Sequence, residues 1–439
     1  MALLLTAYAA IIILIGICDY FKVKNFDDFA LAGRSRGFLA VAASILASVL
    51  GASATMGVVQ LAYSSGAVAF LWLGSGAIGL IVSGFFIAGK VRDTGAKTLV
   101  EATELLIGKR CAALIAFLIV IAWTGIIAAQ FIAAAKLVAG SGTLSYVAAL
   151  LITAVLITGY CIAGGQISVI KTDFFQFIAL SVGIIVTLIF LFRENAGFDV
   201  YKTVISERPG IGLFTYFLLV VGSGFVVGPD IFSRYFSATD GKCAKKAAIT
   251  AGVILLPVSI AIVSIGLWAR SYNQLPAGEE ALVWILNSVL PPVAGTILSL
   301  GLLSAIISSA DTCLLTASAI VSQRIKNLQP LWQIRLVMLF IAAAATIIAW
   351  LKADIIQTLL LSYSIFNCGV IAPLFLAVVF AGRRRLNEKF VILAIVAGGA
   401  MGCYANFSQS KQSIAIIAFA ISIIFSIIAL FWSNQTKKT

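Results

Sequence analysis

Runs of apolar residues long enough to cross a bilayer as helix, which takes about 20 residues, recur from one end of the chain to the other. Thirteen such spans can be placed, near 1–21, 38–61, 67–89, 112–139, 145–163, 173–192, 211–233, 247–269, 293–323, 335–351, 355–381, 390–405 and 413–432. The polar stretches between them are short, so no soluble domain is left over. The first span lacks a basic n-region and leads into a basic segment and further spans, so it reads as a helix rather than a signal peptide. The pattern predicts an all-α polytopic membrane protein of about thirteen transmembrane helices.

Two spans are broken in mid-membrane, at "SVLGASATMG" (48–57) and "VGSGFVVGPD" (221–230). Glycines and a proline there free backbone groups, and such breaks survive only where protein buries them or a watery cavity lies beside them. Setting aside the first span and the last two leaves ten, which group as five plus five, and each group then opens on a broken helix. Matched breaks in two halves are the sequence sign of a transporter's central site. The expected division of the single transporter domain is an extra N-terminal helix and loop (1–37), a first repeat (38–192), a second repeat (211–381) and two C-terminal helices (382–439).

Composition agrees. The 439 residues are 62% hydrophobic and 11% charged, with mean hydropathy +1.11; soluble domains carry about 25% charged residues. The net charge of +13 is not a nucleic-acid footprint, because its placement sets topology. Alternate loops hold most of the Lys and Arg, among them Lys22, Lys24, Arg34, Arg36, Lys90, Arg92, Lys109, Arg110, Lys245, Lys246 and Arg383 to Arg385. The positive-inside rule makes that side cytoplasmic. The N-terminus is then outside and the C-terminus inside, in a plasma (inner) membrane. Trp268, Trp350 and Trp432 stand at span ends, as interfacial anchors do, while Trp72 and Trp123 lie deeper. The 7 Cys are scattered, and the chain has no His. No HExxH or GxSxG occurs, so an enzyme is not expected.

One charge stands out. Asp311, in "IISSADTCLLTAS" (306–318), is the only charged residue between Pro292 and Arg324. An intramembrane carboxylate marks an ion or proton pathway by default. On the same helix Ala305, Ser308, Ser309 and Thr312 fall at i, i+3, i+4 and i+7, one stripe. The hydroxyls can serve a cation or bond back to their own helix.

Four ordered stretches resemble a known family over nearly the whole chain: "NFDDFALAGRSRGF" (25–38), "YCIAGGQISVIKTDFFQFI" (160–178), "GPDIFSRYFSATD" (228–240) and "LPPVAGTILSLGLLSAIISSADTCLLTAS" (290–318). They are similar to segments of the sodium:solute symporters. The resemblance implies a LeuT-like five-plus-five inverted repeat in which Na+ drives import of a small organic solute by alternating access. It also implies a main Na+ site from the backbone carbonyls of Ala47 and Leu50 with Ala305, Ser308 and Ser309. A second cation or proton site would use Asp173, Asp311 and Thr312. Three other readings of Asp311 stay open: a proton carrier, a neutral hydrogen-bond donor, or the partner of Lys171 or Arg234. Asp230 and Arg234 (i, i+4) form a candidate salt bridge or inner gate.

The region matching the family's solute site holds Ser53, Thr55, Trp72, Trp123, Thr124, Gln130, Ser223, Phe225, Ser364 and Asn367. Sugar-transporting members carry an acid and an amide where this chain has Ser53 and Ala54, and proline-transporting members carry an Asp at the position of Val49. A sparsely polar, aromatic pocket suits a small amino acid or carboxylate. The expected partners are that solute and the lipid bilayer, with no nucleic acid and the oligomeric state left open. The alternatives are a proton-coupled carrier using Asp311 or Asp173, and a transporter-like sensor. Sensors of that kind often append a signalling domain, which is not expected of a chain ending "WSNQTKKT".

Overall fold

A computed structural model describes the chain apart from residues 1, 141, 143, 194–208, 273, 274, 277, 325–330, 353, 433 and 436–439. Among the described residues the regular structure is helical, apart from one short antiparallel pair, Arg384–Arg385 with Asn434–Gln435, and an isolated Arg36–Ala238 bridge. Among the described residues 10 helical segments are long and apolar enough to cross a membrane, and Ala10–Tyr20 and Phe38–Val49 are shorter apolar helices.

In chain order the main helices are α1 (Ala2–Tyr20), α2 (Phe38–Val49), α3 (Val58–Ser65), α4 (Phe70–Ser83), α5 (Lys109–Ala139), α6 (Tyr146–Arg193) and α7 (Ile211–Tyr216). They continue with α8 (Pro229–Ser237), α9 (Gly241–Tyr272), α10 (Pro292–Arg324), α11 (Leu331–Leu351), α12 (Ile355–Val379), α13 (Glu388–Ala405) and α14 (Lys411–Phe431). At 48 residues α6 is far too long for one crossing, since a straight helix of that length would span about 70 Å against a hydrocarbon core of about 30 Å. It turns at Gly165, where φ is 55° and ψ is −154°. A side chain there would run into Phe29 at 2.7 Å. The predicted spans 145–163 and 173–192 are its two limbs.

Both predicted breaks are present. α2 stops at Val49, and the chain re-enters helix through a wide turn, Ser53–Gly57, leading into α3. α7 runs through a wide turn (Phe217–Val221) and a tight one (Gly222–Phe225), then breaks before α8, whose first residue is Pro229. Proline suits that position because its missing N–H has no intrahelical partner to lose. Gly51 occupies the first gap, and a Cβ on it would meet Ser309 Oγ at 2.3 Å and Gln130 Oε1 at 2.9 Å. Only glycine lets α10 and α5 close on the break.

Helix α10 is the most enclosed of the apolar spans, 78% buried, and packs along α6 and α5. At one end of the molecule the basic loops interlock. Arg34 donates to the Gly95 and Ala96 carbonyls at 2.7 and 3.1 Å, and Arg92 Nε donates to the Ala238 carbonyl at 2.7 Å. Arg36 N–H bonds the Ser237 carbonyl at 3.0 Å, and Thr239 N–H bonds the Arg36 carbonyl at 3.1 Å. Two of the three expected anchors, Trp350 and Trp432, are exposed, but Trp268 is buried. It stacks on Tyr272 at 5.1 Å, so it belongs to an interior aromatic cluster instead.

Candidate functional site

A helix that stops leaves the carbonyls of its last turn without N–H partners. α2 stops where α10 passes, and Ser309 takes up this deficit. Its hydroxyl donates to the Ser48 carbonyl at 2.8 Å and stands 3.5 Å from the Ala47 carbonyl oxygen. Leu50 caps α2 at the break. Ala305 and Ser308 lie on the same stretch of α10, both buried. The hydroxyl of Ser308 turns toward α6, donating to Asp173 Oδ1 at 2.5 Å.

Asp173 is the hub of a second cluster. It also accepts from the Ser44 hydroxyl and forms an ion pair with Arg234 at 3.2 Å, both side chains fully enclosed. The same Arg234 Nη2 donates to Ser48 Oγ at 3.1 Å and to Thr312 Oγ1. This corrects the expected Asp230–Arg234 pair: Arg234 reaches into the bundle to Asp173, while Asp230, in the first turn of α8, faces a different cavity. Helix periodicity allowed the i, i+4 contact, but a buried guanidinium needs a carboxylate partner. Arg234 meets Asp173 through Nη2 alone, its Nε and Nη1 having no hydrogen-bond partner among the described residues.

Asp311 lies beside this cluster, also fully enclosed. Its Oδ1 is 3.3 Å from the Thr312 hydroxyl, and its Oδ2 has no partner. Among the described ion pairs it has neither Arg234 nor Lys171, because Lys171 pairs with Asp19 of α1 at 2.6 Å.

A cavity enclosing about 540 Å³ of empty space, part of it open to solvent, lies between the two breaks. It is lined by Ser309 and Gly51 on the cation side, and by Ser53, Trp123, Gln130, Phe225 and Asn367 from the expected solute set. Gln130 Oε1 accepts from the freed Ala52 N–H at 2.9 Å, which ties α5 to the break. Trp123 Nε1 and Asn367 Oδ1 are buried and have no hydrogen-bond partner among the described residues.

The other five expected solute residues lie elsewhere. Thr55, Thr124, Ser223 and Ser364 bond back to helix carbonyls, and Trp72 packs on Phe217 and Tyr363 with ring centroids 6.0 and 6.5 Å away. Sequence reasoning missed Tyr363, Cys313, Ile126 and the cavity role of Asp230. Spacing carried a signal for three of them, since Tyr363 is four residues before Asn367, Cys313 four after Ser309 and Ile126 three after Trp123. Among the described residues no Lys or Arg lines the cavity, and Asp230 is its one charged side chain.

Comparison with known proteins matches residues 29–398 to the sodium:solute symporter family. The chain is 25% identical to the human high affinity choline transporter 1 over 437 residues, covering 88% of this chain and 73% of that protein. It is 27% identical to the sodium/proline symporter of Haemophilus influenzae over 396 residues, covering 80% and 76%. In structure it is similar to a Na+-coupled sialic acid symporter solved in a substrate-bound outward-open state, with TM-score 0.84, 19% identity and 98% of both chains covered. It is less similar to MhsT in complex with L-phenylalanine, at TM-score 0.58, 15% identity and coverage of 90% and 98%. The fold is therefore the LeuT fold, and the protein is a transporter, not an enzyme. The chain belongs to the sodium:solute symporter family and is a multi-pass membrane protein that couples solute import to Na+.

Proposed function

We propose that one Na+ binds between Ala47, Leu50, Ala305, Ser308 and Ser309, and that the co-transported solute is a small amino acid held in the adjoining cavity. Na+ has nearly the ionic radius of Ca2+, whose oxygen ligands sit at about 2.3–2.6 Å, so two ligands at right angles lie about 3.4 Å apart. The 3.5 Å between Ser309 Oγ and the Ala47 carbonyl fits that spacing. Ser309 and Gly51 line the solute cavity as well, so an ion there and a solute beside it order the same residues. Linkage then makes each raise the other's affinity.

The observation that carries the solute class is Asp230. An anion without an ammonium group would meet this carboxylate and no cationic side chain, whereas the ammonium of an amino acid pairs with it. Val49, where proline-transporting members carry an Asp, lines the same cavity, so Asp230 supplies an acid from the opposite broken helix. A quaternary ammonium solute is the second reading, favoured by the rings of Trp123, Phe225 and Tyr363 around that acid and by the likeness to a choline transporter.

The second positive charge is built in. Arg234 sits on Asp173 and Thr312, two of the three residues expected at a second cation site, which supports coupling to a single Na+. Residues 38–192 and 211–381 act as the two repeats around this site, flanked by 1–37 and 382–439. By the positive-inside rule, the end where the Arg34, Arg36 and Arg92 loops interlock is read as the cytoplasmic end of a protein in the plasma (inner) membrane, with the N-terminus outside and the C-terminus cytoplasmic.

The test is uptake into proteoliposomes of radiolabelled glycine, L-alanine, L-valine, L-phenylalanine, choline and acetate, with an inward Na+ gradient or K+ in its place. Accumulation of an amino acid only with Na+, lost in Asp230→Asn, is the expected result. Accumulation of acetate alone overturns the solute class, and accumulation of choline alone moves it to the second reading.

A further inference from the structure

A second, narrower cavity, enclosing about 300 Å³ of empty space with part of it open to solvent, lies beyond the first toward the basic end. The same two helices wall both. On α10, Ser309 and Cys313 line the central cavity and Leu315, Thr316 and Ala319 the inner one; on α8, Asp230 and Ile231 line the central cavity and Pro229, Ser233 and Phe236 the inner one. The two cavities are opposite in chemistry. The inner one has no acidic lining residue; it has Gln166, Thr316, Thr98 and Ser233, with Lys97 among its lining residues.

Two of these groups are unused. Gln166 is 1% exposed and its Nε2 has no hydrogen-bond partner; Thr316 is 7% exposed and its Oγ1 has none either. A buried donor without a partner is expensive and rare in a native protein, and two of them on one cavity call for a ligand with acceptors. By contrast Ser233 donates to the Asp230 carbonyl at 2.6 Å, Thr98 donates to Gln323 at 2.6 Å, and Lys97 pairs with Asp27 at 2.6 Å. Those three frame the cavity without competing for a guest.

We propose that this inner cavity is a release station for the carboxylate of the solute, received by the Gln166 amide and the Thr316 hydroxyl. The proposal rests on the amino-acid reading above. The solute's ammonium end faces Asp230 in the central cavity, and its carboxylate finds donors nearer the basic end. It leaves carboxylate first, when the first turn of α8 swings away from α10 about the break ending at Gly228. Without those donors a carboxylate would cross this seam stripped of water and unpaired, which raises the barrier in both directions.

The test uses purified protein in proteoliposomes loaded with the radiolabelled glycine, L-alanine, L-valine and L-phenylalanine panel. Na+-dependent binding of the same panel to the wild type and to Gln166→Leu, Thr316→Val and Gln166→Glu runs alongside and serves as the folding control. The Gln166→Leu and Thr316→Val variants are expected to lower efflux about tenfold each, the effect of losing one hydrogen bond to a charged group. Binding should stay within about twofold, because the two cavities are separate sites.

Gln166→Glu separates recognition from packing. The glutamate has nearly the shape of glutamine, so a packing role predicts efflux nearer wild type than Gln166→Leu; repulsion of a carboxylate predicts slower efflux than Gln166→Leu. Unchanged efflux in all three variants, or Gln166→Glu resembling wild type, overturns the release station while leaving the amino-acid reading intact. A wild-type protein that binds none of the panel overturns that reading, and the station with it.

Discussion

Ser309 and Asp311 are two residues apart on one buried helix, about 200° around its axis, and they face unlike neighbours. Ser309 looks at a helix that has stopped, where the Ser48 and Ala47 carbonyls have lost their own partners. Asp311 lies beside the Asp173–Arg234 cluster instead, and one of its oxygens finds nothing to bond. On the proposed reading, the neutral residue therefore has the better claim to the cation. In a bilayer core the scarce resource for a cation is free backbone oxygen, and only a break supplies several at once. A carboxylate elsewhere is a charge still in need of compensation, and Asp173 shows how it is compensated, with Arg234 and the hydroxyls of Ser44 and Ser308.

The largest test of that contrast is Ser308→Ala with Ser309→Ala. Hydrogen bonds to charged groups contribute about 1.5–3 kcal/mol each, so losing the Ser309 oxygen beside the freed carbonyls and the Ser308 oxygen proposed as a ligand removes about 3–6 kcal/mol if both serve the ion. That corresponds to a rise of at least about a hundredfold in half-saturating Na+, which abolishes Na+-driven uptake at ordinary concentrations. Uptake and Na+ dependence that survive unchanged would sink the site. The next effect in size comes from Arg234→Met. Stripping one partner from an enclosed ion pair costs about 3–5 kcal/mol, read as a fall in the thermal stability of the detergent-solubilised protein. Adding Asp173→Asn to it should recover most of that loss, because no unpaired charge then remains. A double variant as unstable as the single one would show that Arg234 acts through something other than Asp173.

These contacts explain which parts of the site were legible in the sequence. The breaks were, because a glycine cluster and a Gly-Pro step at matched positions of two halves go beyond what close helix packing asks of glycine. The α10 stripe was too, because i, i+3, i+4 spacing is fixed by the helix itself. The partner of Arg234 was not. The local pattern offered Asp230 four residues earlier, but Pro229 begins α8 in such a way that Asp230 turns to the cavity and Arg234 crosses the bundle to a residue 61 positions away in sequence. Lys171 likewise goes to Asp19 on the extra helix α1. The cavity was half legible, because Ser, Thr and Trp in apolar helices have a local fate available. Thr124 bonds the Val120 carbonyl at 2.6 Å and Ser364 the Leu360 carbonyl at 2.7 Å. Only packing decides between that and a cavity wall, as it does for Trp123.

The smallest expected effect is the sharpest on Asp311 itself. Asparagine keeps the shape of the side chain and the oxygen that meets Thr312 at 3.3 Å, and it removes only the charge. If Na+ is held by the break alone, Asp311→Asn changes half-saturating Na+ by no more than about tenfold, the Coulomb effect of a charge about 12 Å away at an effective protein dielectric of about 20. The Hill coefficient for Na+ then stays near 1 in both proteins, as one bound ion requires. If Asp311 instead carries a second cation, the wild-type coefficient lies clearly above 1 and the variant's falls to 1. If it carries a proton, uptake driven by a pH gradient with K+ in place of Na+ is present in the wild type and absent in the variant. Either of those results breaks the contrast between the two faces of α10, because both make the carboxylate, and not the freed carbonyls, the seat of coupling.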